Sequence, residues 1–245
     1  MISINFRRVS FSTVFVISTL VASAARAQPP QPALMLAQQP SVITQPSIRS
    51  SNVWKRVLGS VAVPSPWKVA ACPGTTPLLC VSYQGKLVGT VEIGAHPLDS
   101  RADFKKMLKN AGLPSSSVNI QNPKNRDRII IALKDWVADY YTFFKQDRKT
   151  EYGNELRFAT QTPQVLPVGS LTGVSYGFAG VTKAGEVQEQ RLGYVAFDGR
   201  ILYVITTAFD SDASTGSFGK LEDLQRFEPY LKGVIGRLRL PISKR

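Results

Sequence analysis

Apolar positions change their period three times along the chain, and each change marks a switch between strands and helices. In "LLCVSYQGKLVGTVEIGA" (residues 78–95), β-branched and apolar residues flank Gln84-Gly85, which predicts a β-hairpin turning at that dipeptide. Upstream, Pro64 and Pro66 interrupt the apolar runs, so any strand there is confined to the edge or end of a sheet. The patterned part of the chain therefore begins with paired strands.

Helical spacing follows in two segments. Ser100, followed three residues later by Asp103, predicts the start of a helix that ends before Gly112 and Pro114. Its apolar stripe consists of Phe104, Met107, Leu108 and Ala111. A second, more apolar stripe predicts a helix from Asp127 to about Thr150, formed by Ile129, Leu133, Trp136, Tyr140 and Phe143 and widened by Ile130, Val137, Tyr141 and Phe144. Its width predicts deep packing. The aromatic series could instead form a ligand groove or a partner-binding face, and core packing is the favoured interpretation.

The last third returns to period two and then to helix. "LTGVSYGFAGVT", "EVQEQRLGYVAF" and "RILYVITTAF" predict three successive strands, the last two joined by Asp198-Gly199 in a type I′ turn. "KLEDLQRFEPYLKGVIGRLRL" predicts a final amphipathic helix that Pro229 kinks or restarts. Successive strands with tight turns predict an α+β fold, a mainly antiparallel β-sheet with helices packed on its faces.

"GVSYG" (residues 173–177) fits the G-x-S-x-G pattern that holds the nucleophilic serine of many hydrolases. A nucleophile elbow needs a helix after the serine and a histidine later in the chain. Strand-like sequence follows Ser175, and His96 lies upstream of it. Ser175 is therefore interpreted as a strand residue, and no catalytic residue is predicted.

Alternation offers a second use for the same stretch. Val174, Tyr176 and Phe178 share one face of the predicted strand, and Gly173, Ser175, Gly177 and Ala179 share the other. A strand face with almost no side chains lets a helix approach closely, or it can form the bottom of a ligand cleft. Close helix packing is the favoured interpretation.

The N-terminus has the three parts of a secretory signal peptide. Arg7 and Arg8 precede an apolar run, and "ARA" closes it before Gln28. Residues 1–27 are therefore predicted to be cleaved, which leaves no transmembrane segment in the mature chain. Residues 28–52, rich in Gln, Pro and Ser, are predicted to be a flexible leader, and residues 53–245 a single domain. The expected location is the periplasm, the thylakoid lumen or the extracellular space.

Cys72 and Cys80 bracket "PGTTPLL", whose prolines and glycine favour a reversal, so an exported chain is expected to join them in a disulfide. A metal site would need further ligands, and His96 is the sole histidine of the sequence. Neither a metal nor a cofactor is predicted.

Charge is the remaining signal. The formal net charge is +13, and removal of Arg7, Arg8 and Arg26 with the signal peptide leaves +10. Export disfavours nucleic acid as the partner of such a basic protein, so an acidic protein surface or an anionic envelope component is expected. The candidate contact residues form two clusters at the ends of the second helix, Lys124, Arg126 and Arg128 at its start, and Lys145, Arg148 and Lys149 at its end.

The element order and several local sequences resemble the PsbP-like fold. They are "PSPWKV", "GVSYGFAG", "RLGYVAFDGRILYVIT" and the final amphipathic helix, and the resemblance covers about residues 53–240. This group includes extrinsic photosystem II proteins, related bacterial domains of unknown function and a eukaryotic nuclear import factor. The resemblance implies an antiparallel sheet between helices and a non-enzymatic accessory or binding role, and it carries over no functional residue.

Three functional hypotheses follow. The leading one is an exported, non-enzymatic binding protein that docks through a basic surface. The alternatives are a secreted serine hydrolase using Ser175 and a small-ligand carrier with a cleft over the glycine-rich strand.

Overall fold

Nine strands form one sheet in the part of the chain that the computed structural model describes, residues 57, 61–74, 77–210 and 215–241. All of these residues belong to the compact unit Gln45–Arg245. The predicted signal peptide and leader lie outside the described residues. The strands are β1 (Trp67–Ala71), β2 (Leu78–Tyr83), β3 (Lys86–Pro97), β4 (Leu156–Thr160), β5 (Gln164–Val168), β6 (Leu171–Thr182), β7 (Val187–Phe197), β8 (Ile201–Phe209) and β9 (Ser217–Phe218).

The helices are α1 (Ala102–Asn110), α2 (Pro123–Tyr152) and α3 (Leu221–Gly236), with a short 3₁₀-helix at Leu98–Ser100. The sheet order is β1-β2-β3-β9-β8-β7-β6-β4, with β5 also on β6 and β3 also on β8. Every pairing is antiparallel except that of β8 with the two-residue β9. The predicted mainly antiparallel α+β fold is confirmed.

Each face of the sheet has its own hydrophobic core. On one face, α3 buries Leu224, Phe227 and Leu231 against strand residues such as Tyr203 and Ile205. On the other face, α1 and α2 pack against the strand side chains that point to that side, such as Val174, Val195 and Leu202. The buried helix residues there include Phe104, Leu108, Leu133 and Val137. The helices therefore enclose the sheet from both sides, because alternation gives each central strand two apolar faces.

Three strands were not predicted from the sequence: β4, β5 and the two-residue β9. β4 and β5 follow one another along the edge of β6, and most of their side chains are exposed. Leu166 and Val168 are the buried side chains of β5, and Pro167 lies between them, which edge strands tolerate. Five-residue edge strands give too few apolar positions for a period-two signal.

The helix starts also differ from the predictions. Ser100 belongs to the 3₁₀-helix, where its Oγ donates to the carbonyl of Pro97, and α1 begins only at Ala102 without a side-chain cap. α2 begins at Pro123, four residues before the predicted Asp127, because the Asn122 side chain accepts from the Lys124 N–H and caps it.

The predicted deep packing of α2 holds only for its first half. Its buried residues end at Val137, and Phe143, predicted to lie in the stripe, is 64% exposed. Farther along this thirty-residue helix, Phe144 is only partly buried, although its ring lies 5.0 Å from that of Phe178 of β6, so the second half of the helix covers the sheet incompletely. Pro229 is accommodated inside α3 without ending the helix.

Asp198-Gly199 does connect β7 to β8, but the turn is not the predicted type I′ turn. Of the two residues only Gly199 has a positive φ, +100°. The Asp198 carboxylate instead organises the turn, since its Oδ1 accepts from the backbone N–H groups of Arg200 and Ile201 at 2.8 and 2.7 Å.

Neither a helix nor a cleft lies nearest to the glycines of "GVSYG". A Cβ on Gly173 would lie 2.6 Å from Val168 Cγ2, and one on Gly177 would lie 2.8 Å from Gln161 Oε1. The segment that enters and forms β5 therefore fills the bare strip, and the favoured helix-packing interpretation is wrong.

Cys72 and Cys80 are joined in a disulfide, which fits the expectation from the sequence. Cys72 follows β1 and Cys80 lies in β2, so the bond links an edge strand to its neighbour.

Candidate functional site

Ser175 lacks the surroundings of a nucleophile. It lies inside the twelve-residue strand β6, opposite Tyr194 of β7, and its Oγ lies 3.5 Å from the carbonyl of Gln164. His96 is in β3, and β8 and β7 lie between β3 and β6. The residue paired with it, Leu202, belongs to the core beneath α1 and α2, on the face of the sheet opposite to Ser175. The geometry therefore gives the hydrolase alternative no support.

His96 lies within β3 rather than in a loop, at the side of the sheet that α1 covers. Its ring crosses Gly94, where a Cβ would lie 2.5 Å from Nε2. Burial, followed by the positive charge of Arg101, lowers the pKa of His96 below its ordinary 6.5, and Asp103 acts in the opposite direction. Burial raises the pKa of Asp103, but hydrogen bonds from Arg101 and Trp136 outweigh it and leave that pKa lowered.

We expect the lowered pKa of His96 to make the fold less stable in mild acid than at neutral pH. A histidine whose folded-state pKa lies below its unfolded value of 6.5 contributes stability at higher pH, and that contribution is lost as the pH falls through 6.5. The free energy of unfolding from urea titrations should therefore fall between about pH 7.5 and about pH 5. His96→Gln should reduce this fall, and identical pH profiles for the two proteins would contradict the assignment.

In the predicted cluster at the end of α2, Arg148 is engaged within the protein. Arg148 Nε contacts Glu189 Oε1 at 2.7 Å, and its Nη1 reaches Asp147 and Glu151. The hydrogen bond that Arg148 donates to Glu189 is the main reason that the pKa of Arg148 is raised. Lys145 and Lys149 remain exposed beside this network. An external acidic partner would have to compete with three carboxylates for Arg148.

The cluster at the start of α2 has a different environment. Lys124, Arg126 and Arg128 are exposed, and none of them makes an ion pair within the described residues. Arg128 Nη1 donates to the carbonyl of Gly112 at 2.9 Å, and Arg126 Nε donates to that of Ile120 at 3.4 Å. The loop between α1 and α2 thus holds both guanidinium groups in place without neutralising them.

Topology brings further cations to the same end of the sheet. β7 ends and β8 begins there, so Arg200 lies in their connecting turn, and the backbone of Gly199 is hydrogen-bonded to Val118 of the α1–α2 loop. α3 also ends there, because the Gly169 N–H between β5 and β6 donates to the carbonyl of Ile235. Exposed arginines follow α3 at positions 237 and 239.

We call this surface the basic end; it comprises Lys124, Arg126, Arg128, Arg200, Arg237 and Arg239. In the described part of the chain, no salt bridge involves any of the six. Asp127 is exposed among them, while Asp198 is 7% exposed and turned towards backbone N–H groups. Sequence reasoning found the three cations of α2. It missed the other three, because only the folded topology makes them neighbours.

Metal and membrane features were also sought. Within the described ranges, no three His, Cys, Asp or Glu side chains are grouped as metal ligands, and no helix there has the length and apolarity needed to cross a membrane.

Comparison with known proteins gives a structural likeness but no sequence relative. No protein-family model matches the sequence, and no curated protein is similar to it. The fold is similar to that of cyanobacterial PsbP. That solution structure, from Synechocystis sp. PCC 6803, is 8% identical over 73% of this chain and 84% of that chain, with a TM-score of 0.34. The likeness agrees with the resemblance drawn from the sequence, and at this level it carries no argument about function.

Proposed function

We propose that this protein is an exported, non-enzymatic accessory protein that docks through its basic end onto an acidic face of a protein complex. The observation that carries the proposal is the set of six exposed cations, drawn from separate elements, without an internal ion pair in the described residues. The opposite end differs, because Arg148 and Lys183 there pair with acids of the same chain.

Two of the arginines retain the donor geometry that carboxylates bind. Arg126 uses Nε for the Ile120 carbonyl, so its two terminal nitrogens remain as a fork. Arg128 uses Nη1 for the Gly112 carbonyl, so Nε and Nη2 remain. A guanidinium fork binds a carboxylate through two parallel hydrogen bonds, and anchoring it in advance reduces the conformational entropy lost on binding.

An acidic protein surface fits the basic end better than a lipid surface does. Peripheral proteins that bind lipid usually combine cations with large apolar side chains that enter the membrane interface. The large apolar side chains exposed in the described residues are Leu87, Ile131, Phe143, Tyr152 and Val165. Ile131 lies one turn of α2 from Arg128, and a single side chain of this kind gives less apolar surface than a lipid-binding face usually presents.

A pair of charge-reversal variants tests the proposal. Arg126→Glu/Arg128→Glu alters the basic end, and Lys145→Glu/Lys149→Glu makes the same change in net charge at the other end of α2, about 30 Å away along the helix axis. Capture of partners from envelope or thylakoid extract is measured at low and high salt, in parallel with sedimentation on phosphatidylglycerol vesicles. We expect the first variant to lose saturable, salt-sensitive protein capture by at least about tenfold and the second to retain it.

Equal losses in both variants would show that only net charge matters and would contradict docking through the basic end. Undiminished capture by the Arg126→Glu/Arg128→Glu variant would contradict it as well. Binding to vesicles alone would replace the protein partner by an anionic envelope surface.

A further inference from the structure

A cleft of about 580 Å³ opens at the end of the molecule opposite the basic end. The last turns of α2, the residues before β4, the β6–β7 turn and the end of β8 surround it. This volume lies within the usual range for small-molecule sites, about 300–1,000 Å³. The cleft is separate from the glycine strip of β6, where a ligand cleft was the alternative to the favoured helix packing.

One wall of the cleft is fixed by an ion pair. Arg148 and Glu189 join α2 to β7 at 2.7 Å, and each side chain is only 20% exposed. Arg148 also lies over the Phe144 ring, 5.6 Å from its centre. This pair is held by packing as well as by charge, so it acts as a rigid wall.

A second ion pair lies at the exposed side of the cleft and is held differently. Lys183 of the β6–β7 turn contacts Glu155, just before β4, at 2.8 Å, and their side chains are 69% and 75% exposed. Such solvent-exposed pairs contribute little to stability, so a ligand can separate the two groups easily.

The lining combines these charges with apolar surface. Leu156 and Phe209 contribute apolar atoms to the lining. A ligand with only a negative charge would take Lys183 and leave Glu155 without its partner, and a purely cationic ligand would do the reverse. A ligand that carries both charges replaces one exposed ion pair by two.

We propose that this cleft binds a small zwitterion with an apolar side chain, an α-amino acid or a short peptide. Its carboxylate pairs with Lys183 and its ammonium group with Glu155, while its side chain lies on Leu156 and Phe209. This binding activity goes beyond docking through the basic end and does not depend on it.

Calorimetric titration of the mature chain with L-leucine tests the proposal. We expect saturable binding of L-leucine, and a dissociation constant raised at least about tenfold for N-acetyl-L-leucine and for L-leucinamide, which each lack one charge. Lys183→Met and Glu155→Gln should each weaken L-leucine binding by a similar factor. Both side chains are exposed, so neither change should affect folding.

Lys134→Met is the matched control, because Lys134 is an exposed lysine of α2 that does not line the cleft. The control variant and the Arg126→Glu/Arg128→Glu variant should both bind L-leucine as the wild type does. Absence of saturable heat with L-leucine up to about 10 mM would overturn the proposal. So would equal affinity for L-leucine and its two blocked forms, or unchanged binding by the Lys183→Met and Glu155→Gln variants.

Discussion

Replacing Gly193 by alanine is expected to lower the free energy of unfolding by about 3 kcal/mol, near the upper end of typical overpacking penalties. Gly193 of β7 lies opposite Tyr176 of β6, and the tyrosine ring lies across the space that a side chain would occupy. A Cβ there would lie 2.5 Å from Cε2 of Tyr176 and 2.6 Å from its hydroxyl oxygen.

The ring cannot easily move away. Tyr176 is 2% exposed, and its ring centre lies 5.3, 6.0 and 6.3 Å from those of Tyr140, Trp136 and Tyr141, all on α2. Relieving the clash would shift either β7 or the helix, and both belong to the core on that face. Phe218 lies across Gly89 in the same way, with ring carbons 2.6 Å from a Cβ placed there.

Urea unfolding of Gly193→Ala against Gly233→Ala measures the effect. Gly233 is in α3 with nothing within 4 Å of its would-be Cβ, so the same substitution there should stabilise the fold by about 1 kcal/mol. Tyr176→Leu in the Gly193→Ala background should recover part of the loss, since the two side chains would no longer overlap. A loss below about 0.5 kcal/mol for Gly193→Ala would be that of an ordinary surface change and would contradict the steric explanation.

The central part of the fold could be predicted because its strands alternate over many residues. β6, β7 and β8 each have nine or more residues and are buried on both faces near their middles. β4 and β5 have five residues each, mostly exposed, so they leave no comparable pattern. The apolar stripe of α2 also continues past Val137, its last fully buried residue, and sequence periodicity does not show how completely each residue of a stripe is covered.

Only three of the six cations of the basic end could be predicted from the sequence, for a related reason. Lys124, Arg126 and Arg128 are close in sequence, so composition alone finds them. Arg148 has equally basic neighbours, yet Glu189, which neutralises it, is forty-one residues away in the chain. Local composition identifies cations, but only tertiary contacts decide which of them remain available to a partner.

Asp198→Ala is expected to destabilise the protein by about 3 kcal/mol and to disturb the basic end. The buried carboxylate accepts from the N–H groups of Arg200 and Ile201, and the Tyr203 hydroxyl lies 3.4 Å from its Oδ2. Removing it leaves buried donors without an acceptor, and charged hydrogen bonds of this kind contribute about 1.5–3 kcal/mol each. Burial and then the Asp198 carboxylate raise the pKa of Tyr203, so its hydroxyl stays protonated, and its shorter hydrogen bond goes to the Pro241 carbonyl at 2.7 Å.

The turn that Asp198 organises also positions the docking surface. The Gly199 carbonyl accepts from Val118 and the Arg200 carbonyl from Leu98, so loss of the turn loosens the loop that anchors Arg126 and Arg128. Urea unfolding and partner capture should therefore both decline in Asp198→Ala. Asp198→Asn, which keeps the Oδ1 acceptor, should lose clearly less, and exposed Asp139→Ala should behave as wild type. Equal losses for the Ala and Asn variants would mean that the carboxylate acts through its charge rather than through the backbone hydrogen bonds of the turn.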